Sequence, residues 1–304
     1  MTQRRLPRAD SHTLGSQMDT LMSTNQEVCL QARARKLLRE APFLTRVLQT
    51  GRAVLDSGPW RHVAREVIRR RRRPQNNRTS QTLTSLQLNA PQLAQALRAD
   101  GVAMAGNLPP DMLSRVRAVT DNLPPGEYRE FNVVPDIRAL VQCAGVLSVV
   151  RGYLGSEPEL LECNLVVGHA EGPTKPRSDS QRLFHFDYAG WHSLNLFIYL
   201  IEVGADSGAH QVVAGTHRSR KLWDAVRPSI PDDEITKRFG ENIRTITGPA
   251  GTMFFEDTAA FHRRLILKRR RVMLNILYAS HRSWLSKGRL TPKYAEYLRS
   301  RGIA

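Results

Sequence analysis

The sequence predicts a mainly β domain with flanking helices, preceded by a basic helical N-terminal segment. Three observations predict it. From residue 159 onward the chain breaks into eight short apolar or alternating runs, many rich in β-branched and aromatic side chains, separated by Gly, Pro, Asp and Ser. No long helical pattern intervenes between them, which favours an antiparallel double-sheet barrel, a double-stranded β-helix of jelly-roll or cupin-like type. At 304 residues, 41% hydrophobic and 24% charged, the chain has the composition of an ordinary globular protein with enough apolar material for one large core or two modest ones.

Residues 1–80 read as a basic leader, partly helical or flexible. They hold 17 Lys and Arg against 6 Asp and Glu, most of the formal net charge of +17. The stretch "VCLQARARKLLREAPFLTRVLQTGRAVLD" spaces Val28, Leu30, Leu37, Leu38, Phe43, Leu44, Val47 and Leu48 at roughly helical intervals with arginines between them. Arg69 to Arg73 run together before Pro74. Such a segment suits contact with an anionic surface, lipid or nucleic acid, or else packs its apolar stripe on the main domain. No RNA- or DNA-binding module signature accompanies the arginines.

Residues 81–304 read as the main domain. A helix is expected around residues 91–99, then a short strand "GVAMAG", then a second helix from about Asp111, with its carboxylate as the cap. "PDIRALVQCAGVLSVVRGYLG" predicts a helix or helix pair closed by Gly155. The strands follow as "ELLECNLVVGHA", "RLFHFDY", "SLNLFIYLIEV", "AHQVVAG", "NIRTITG", "GTMFFED", "RRLIL" and "RVMLNILYAS". No run approaches the roughly 18 to 20 apolar residues of a membrane span, and "MTQRRLPRADSHTLGSQ" lacks the apolar core of a secretory signal, so no transmembrane segment and a cytoplasmic location are expected. Cys29, Cys143 and Cys163 fit neither a disulfide framework nor a zinc pattern and read as reduced packing groups.

The chemistry concentrates in "RLFHFDY". Residues two apart in a strand project to one face, so His185 and Asp187 point together into the barrel while Phe184, Phe186 and Tyr188 pack behind. A buried imidazole beside a buried carboxylate calls for a partner, and a divalent metal serves both. A non-haem iron site of the two-histidine-one-carboxylate kind needs one more ligand, for which His262 in "GTMFFEDTAAFHRRLIL" is the best candidate. An isolated H-x-D is a weak signal; the order of parts strengthens it. Arg271 follows nine positions after His262 at the start of a strand, where a guanidinium can pair in two-pronged fashion with a dicarboxylate cosubstrate. Arg264, two residues past His262, competes for that role, and Arg270 is a further alternative. His217 reads as a turn residue; His169, His192, His210 and His281 read as structural or exposed. Glu256 and Asp257 read as turn groups or supports of the metal ligands.

These segments resemble the phytanoyl-CoA dioxygenase-like family of iron(II)- and 2-oxoglutarate-dependent oxygenases, from about residue 86 to residue 280. The likeness rests on "DGVAMAGNLPPDML", the "HFD" pair, "SGAHQVVAGTHR", "GPAGTMFFEDTAAFH" and "RVMLNILY". It implies iron(II) on His185, Asp187 and His262, 2-oxoglutarate anchored by Arg271, and O2 as co-reactant, with succinate and carbon dioxide as by-products of substrate hydroxylation. The carboxylate at Asp187 points away from the halogenating relatives, which lack it. The implied substrate is a small molecule or a carrier-tethered group, with Tyr188 and Trp191 walling its pocket. Arg263 and Arg264 depart from the small residues the family carries after the distal histidine, and extra positive charge there suits an anionic substrate. The competing expectation is a metal-binding but non-catalytic barrel that acts as a basic surface-binding protein.

Overall fold

The element order follows from where apolar periodicity changes. In the computed structural model, which describes residues 51, 60–74, 86–170, 180–187, 189–219, 224, 227 and 229–281, helix α1 (Trp60–Arg71) is followed by α2 (Ala90–Asp100), β1 (Val102–Asn107), α3 (Pro110–Thr120), β2 (Gly126–Tyr128), α4 (Pro135–Val141), α5 (Ala144–Leu154) and β3 (Glu159–Gly168). Then come β4 (Ser193–Tyr199), β5 (His210–Val213), α6 (Asp232–Phe239), β6 (Ile243–Ile246), β7 (Thr252–Glu256), β8 (His262–Arg264) and β9 (Arg271–Ala279). The chain divides into two compact units, Met1–Gly51 and Arg52–Ala304, and all these elements belong to the second. The amphipathic pattern of residues 28–56 lies almost entirely outside the described residues, as does Cys29.

The strands form two antiparallel sheets, one of six in the order β1-β7-β4-β9-β3-β2 and one of three in the order β6-β5-β8. The central strand β4 is buried at every position, which explains why its second half, "LFIY", is apolar on both faces, while the buried Asn195 donates to Asn275 Oδ1 at 2.7 Å. One face of the large sheet, with Leu196, Ile198, Phe255, Leu274 and Ile276, packs against Leu97, Val116, Ile137, Leu140 and Val149 of the helices. The other face presents Phe197, Tyr199, Phe254 and Met273 to Val212 and Ile246 of the small sheet. Each such side chain contributes about 1.5–3 kcal/mol by leaving water.

Helix boundaries follow local chemistry. The Asn89 side chain accepts from the Gln92 N–H at 3.2 Å to open α2, and Gly101 closes it in the left-handed region at φ 78°. Helix α3 opens on Pro109 without a side-chain cap, so the expectation for Asp111 is corrected: it sits inside the first turn and pairs with Arg115. The expected helix pair is α4 and α5, closed by Gly155 at φ 68°.

Two predicted strands are not regular ones. "RLFHFDY" is a 3-10 turn over Ser180–Arg182 followed by isolated bridges from Phe184 to Ile230 and from His185 to His262. "RRLIL" contributes only Arg263 and Arg264 to the three-residue β8, after which pairing is irregular, with the Leu265 N–H donating to the Ala209 carbonyl and an isolated bridge from Leu267 to Ser207. Strand β2 and helix α6 were not anticipated, although "DDEITKRF" carries acids in its first turn and bases in its last, as a helix dipole favours. Helix α1 falls within the segment read as leader. Its C-terminal end joins the rest of its unit, with the Arg72 carbonyl accepting from the Glu157 N–H at 2.9 Å and the Arg72 guanidinium paired with Glu159. Among the described residues, no helix is long and apolar enough to cross a membrane.

Candidate metal centre

His185, Asp187 and His262 converge although 75 residues separate the last two. The register that brings them together is a pair of reciprocal backbone bonds, His185 N–H to His262 O at 3.0 Å and His262 N–H to His185 O at 2.8 Å. Asp187 is held next to them by its N–H, which donates to the Thr258 carbonyl at 2.8 Å. One donor atom from each of the three residues lies within 4.8 Å of the others. The imidazole rings are 4.4 Å apart at their centroids, and His262 Nε2 lies 3.8 Å from Asp187 Oδ2.

Both imidazoles are oriented from behind. His185 Nδ1 sits 2.8 Å from the Leu183 carbonyl and His262 Nδ1 sits 3.0 Å from the Ala260 carbonyl. A carbonyl only accepts, so each Nδ1 carries the proton and each Nε2 keeps its lone pair for a metal. Burial, then the neighbouring His185, lowers His262 to about 4, so it is neutral near pH 7. The Asp187 side chain is 29% exposed, which leaves one side of the site open. Two neutral nitrogens, one carboxylate and an open face fit a two-histidine-one-carboxylate metal. Behind the pair, Phe184 and Phe186 pack with Val213, Ile230 and Phe261, as the alternation implies.

Two further groups stand beside the triad, His210, read from the sequence as structural or exposed, and Glu256, read as a turn group or a support of the metal ligands. His210 on β5 stacks on His262, centroids 5.4 Å apart at 17°, and its Nε2 approaches Glu256 Oε2 to 2.7 Å without hydrogen-bond directionality. Glu256 also lies 3.7 Å from His262 Nδ1. Burial pushes Glu256 up to about 8 and His210 down to about 3, so the pair is neutral at pH 7. The signal in the sequence is the inward register of "TMFFE", which places a carboxylate on the same strand face as Thr252 and Phe254.

Arg271 opens β9, only 5% exposed, and donates to the Gly208 carbonyl at 2.5 Å with Nη2 3.0 Å from Met273 Sδ. No carboxylate pairs with it among the described residues, and burial lowers it to about 10. Arg264 is also buried and lies close enough to Arg271 to be felt electrostatically. Arg270 instead donates to the Thr120 carbonyl at 3.1 Å. Trp191 stacks its indole on His281 at 4.9 Å, and Tyr188 lies outside the described residues. A cavity of about 790 Å³ is lined by Arg182, Arg227, Arg263, Arg264, Asp232 and Asp233 among others; no triad residue lines it. Within it Arg263 pairs with Asp232 at 2.5 Å, and Arg227 pairs with Glu234. The described cysteines, Cys143 and Cys163, are buried free thiols.

No family model matches the chain, and no curated protein matches it. Among solved structures it is similar to AviO1 from Streptomyces viridochromogenes Tue57, at 17% identity over 67% of this chain and 99% of that one with a TM-score of 0.46. It is also similar to iron-bound HygX from Streptomyces hygroscopicus, at 14% identity over 65% of this chain and 88% of that one with a TM-score of 0.47. A third is EctD from S. alaskensis with 2-oxoglutarate and 5-hydroxyectoine, at 18% identity over 68% of this chain and 86% of that one with a TM-score of 0.49.

Proposed function

We propose that this chain is an iron(II)- and 2-oxoglutarate-dependent dioxygenase that hydroxylates an unactivated C–H bond of a small-molecule or carrier-linked substrate, built on a double-stranded β-helix of the phytanoyl-CoA dioxygenase-like kind. The observation that carries the reading is the convergence of His185, Asp187 and His262 with both Nε2 atoms free and both Nδ1 protons tied to carbonyls. These three residues hold the iron. When bound, iron(II) with 2-oxoglutarate and O2 supplies the oxidising chemistry, with succinate and carbon dioxide released.

The chain's own residues do the positioning. Arg271 is a buried cation awaiting an anion, and the distal carboxylate of 2-oxoglutarate is its partner; Arg264 adds positive charge beside it. Phe197, Phe254 and Met273 exclude water from the space between the sheets. The arginines beside β8, Arg182 and Arg264 among them, suit a substrate that carries an acidic group, and Tyr188 and Trp191, which follow Asp187 in the chain, are proposed as walls of the substrate pocket. The oxygenase domain takes in α1, and the basic surplus of residues 1–80 contacts an anionic surface.

Anaerobic titration of the metal-free protein with iron(II) and then 2-oxoglutarate tests the reading. The expected result is the weak visible charge-transfer band of the chelated cosubstrate, followed by succinate release in air. Metal binding without the band or succinate would leave a binding module and overturn the enzyme reading.

A further inference from the structure

We infer that Arg61 and Arg65 of helix α1 are positioning residues of the metal centre, which clamp the two backbone segments presenting Asp187 and His262. The inference rests on the metal site proposed above. The two arginines are one helical turn apart and so share a face of α1. Both guanidiniums reach one acceptor, the Trp191 carbonyl, with Arg61 Nε donating at 2.9 Å and Arg65 Nε at 2.6 Å. Trp191 lies four residues past Asp187, on the segment that leads from this ligand into β4.

Two cations converging on one carbonyl repel each other, and a buried anion offsets them. That anion is Asp257. Burial, the largest influence, works to raise it, but Arg61 and Arg65 together with His217 and His192 bring it down to about 2. Asp257 in turn builds the chain reversal before His262. Its Oδ2 accepts from the Tyr153 hydroxyl at 2.7 Å, its Oδ1 from the Ala259 N–H at 3.0 Å, and its carbonyl from the Ala260 N–H at 2.8 Å.

The reversal over residues 257–260 supplies both carbonyls that set the ligands. Thr258 O receives the Asp187 N–H at 2.8 Å, and Ala260 O lies 3.0 Å from the Nδ1 of His262. One carboxylate, balanced by two arginines from a helix more than 180 residues earlier in the chain, therefore underlies the orientation of two of the three metal ligands. Helix packing alone would not require two guanidiniums donating to one carbonyl. One turn further along the same helix, Arg69 pairs with Glu66, as does Arg70, and neither joins this network.

Cobalt(II) titration of the metal-free full-length protein, followed by visible ligand-field absorption, reads the geometry directly without turnover. The R61Q/R65Q double variant is expected to bind cobalt(II) at least tenfold more weakly with an altered band shape, on the scale of about 10- to 100-fold found for groups that orient metal ligands. R70Q is expected to match the wild type. A folded double variant with a Kd within twofold of wild type overturns the inference while leaving the metal site standing. If the wild type itself binds no cobalt(II), the metal site fails and the inference with it. Should the double variant not fold, R65K and Y153F decide the matter: a wild-type Kd and band in both overturns the positioning role, and a weakened Kd in either, with cooperative thermal unfolding retained, supports it.

Discussion

At the level of single residues, the Asp187 carboxylate is partly exposed and belongs to no core cluster, so its removal separates chemistry from folding. Asp187→Ala should weaken metal binding by well over tenfold and abolish 2-oxoglutarate-coupled succinate release, while Tm shifts little; unchanged turnover would remove Asp187 from the ligand set. The arginines give a graded prediction. Losing one partner of a buried charged pair costs about 3–5 kcal/mol, so Arg271→Leu should raise the 2-oxoglutarate KM roughly a hundredfold or more with metal affinity nearly unchanged. Arg264→Leu should be intermediate, and Arg270→Leu, which loses a bond to the Thr120 carbonyl on another face, small. A large effect at Arg264 with none at Arg271 would move the anchor. Glu256 yields a pH dependence. In the fold it keeps its proton to about pH 8 against 4.5 for an ordinary glutamate, so the metal-free protein loses stability as pH rises through that window. His210 and His262, lowered to about 3 and 4, act oppositely, with stability rising up to their ordinary value of 6.5. Among these groups, then, only Glu256 slopes between 6.5 and 8: Tm of the metal-free protein should fall there, and Glu256→Gln should flatten the fall.

At the level of elements, the junction of α2 and β1 shows how one backbone position governs two layers. Gly101 ends α2 in the left-handed region, and its carbonyl accepts from the Asp257 N–H at 2.8 Å. A Cβ there would stand 2.6 Å from the buried His217 ring. The left-handed conformation alone costs a non-glycine residue about 1–2 kcal/mol. With the added clash, Gly101→Ala should lower stability by about 2 kcal/mol or more, measured by urea denaturation, and a change under about 0.5 kcal/mol would show that the turn relaxes freely. The same elements show how far the pattern of residues could be read. Helices α2, α4 and α5, with Gly or Pro at their ends, and strands β1, β3, β4 and β9 carry their own apolar periods, and each was legible. The segment holding His185 and Asp187 was read as a strand because its apolar and polar residues alternate. It alternates for a different reason, one side turned to His262 and the other packing on Phe261, with only isolated bridges between.

At the level of the whole molecule, the unit that contains the sheets begins at Arg52, not after the arginine run. Deleting residues 1–51 should therefore leave cobalt(II) affinity and Tm close to those of the full chain, whereas deleting residues 1–74 should weaken cobalt(II) binding at least tenfold through loss of α1. Equal affinity in the two truncations would show that α1 contributes nothing to the site. Charge density in the sequence could not separate these segments, because a solvated arginine and one that donates to a distant backbone carbonyl are the same letter. Arg69 and Arg70 are the first kind; Arg61 and Arg65 are the second.

The amino-acid order by itself determined the mainly antiparallel β character with flanking helices, because apolar period and turn residues are local properties. It also singled out His185, Asp187 and His262, since an H-x-D pair with a later histidine before an arginine-led strand is a pattern within one dimension. What it left undecided was everything that depends on register between distant segments. His210 had no partner at ligand spacing, yet the β5–β8 pairing of Val212 with His262 sets its ring against that ligand, and β7 brings Glu256 to 2.7 Å of it. Arg61 and Asp257 are nearly two hundred positions apart and influence each other only once α1 is tied to the Trp191 carbonyl. Electrostatic and stacking energies fall off with distance in space and are indifferent to separation along the chain, so only the folded arrangement decided them.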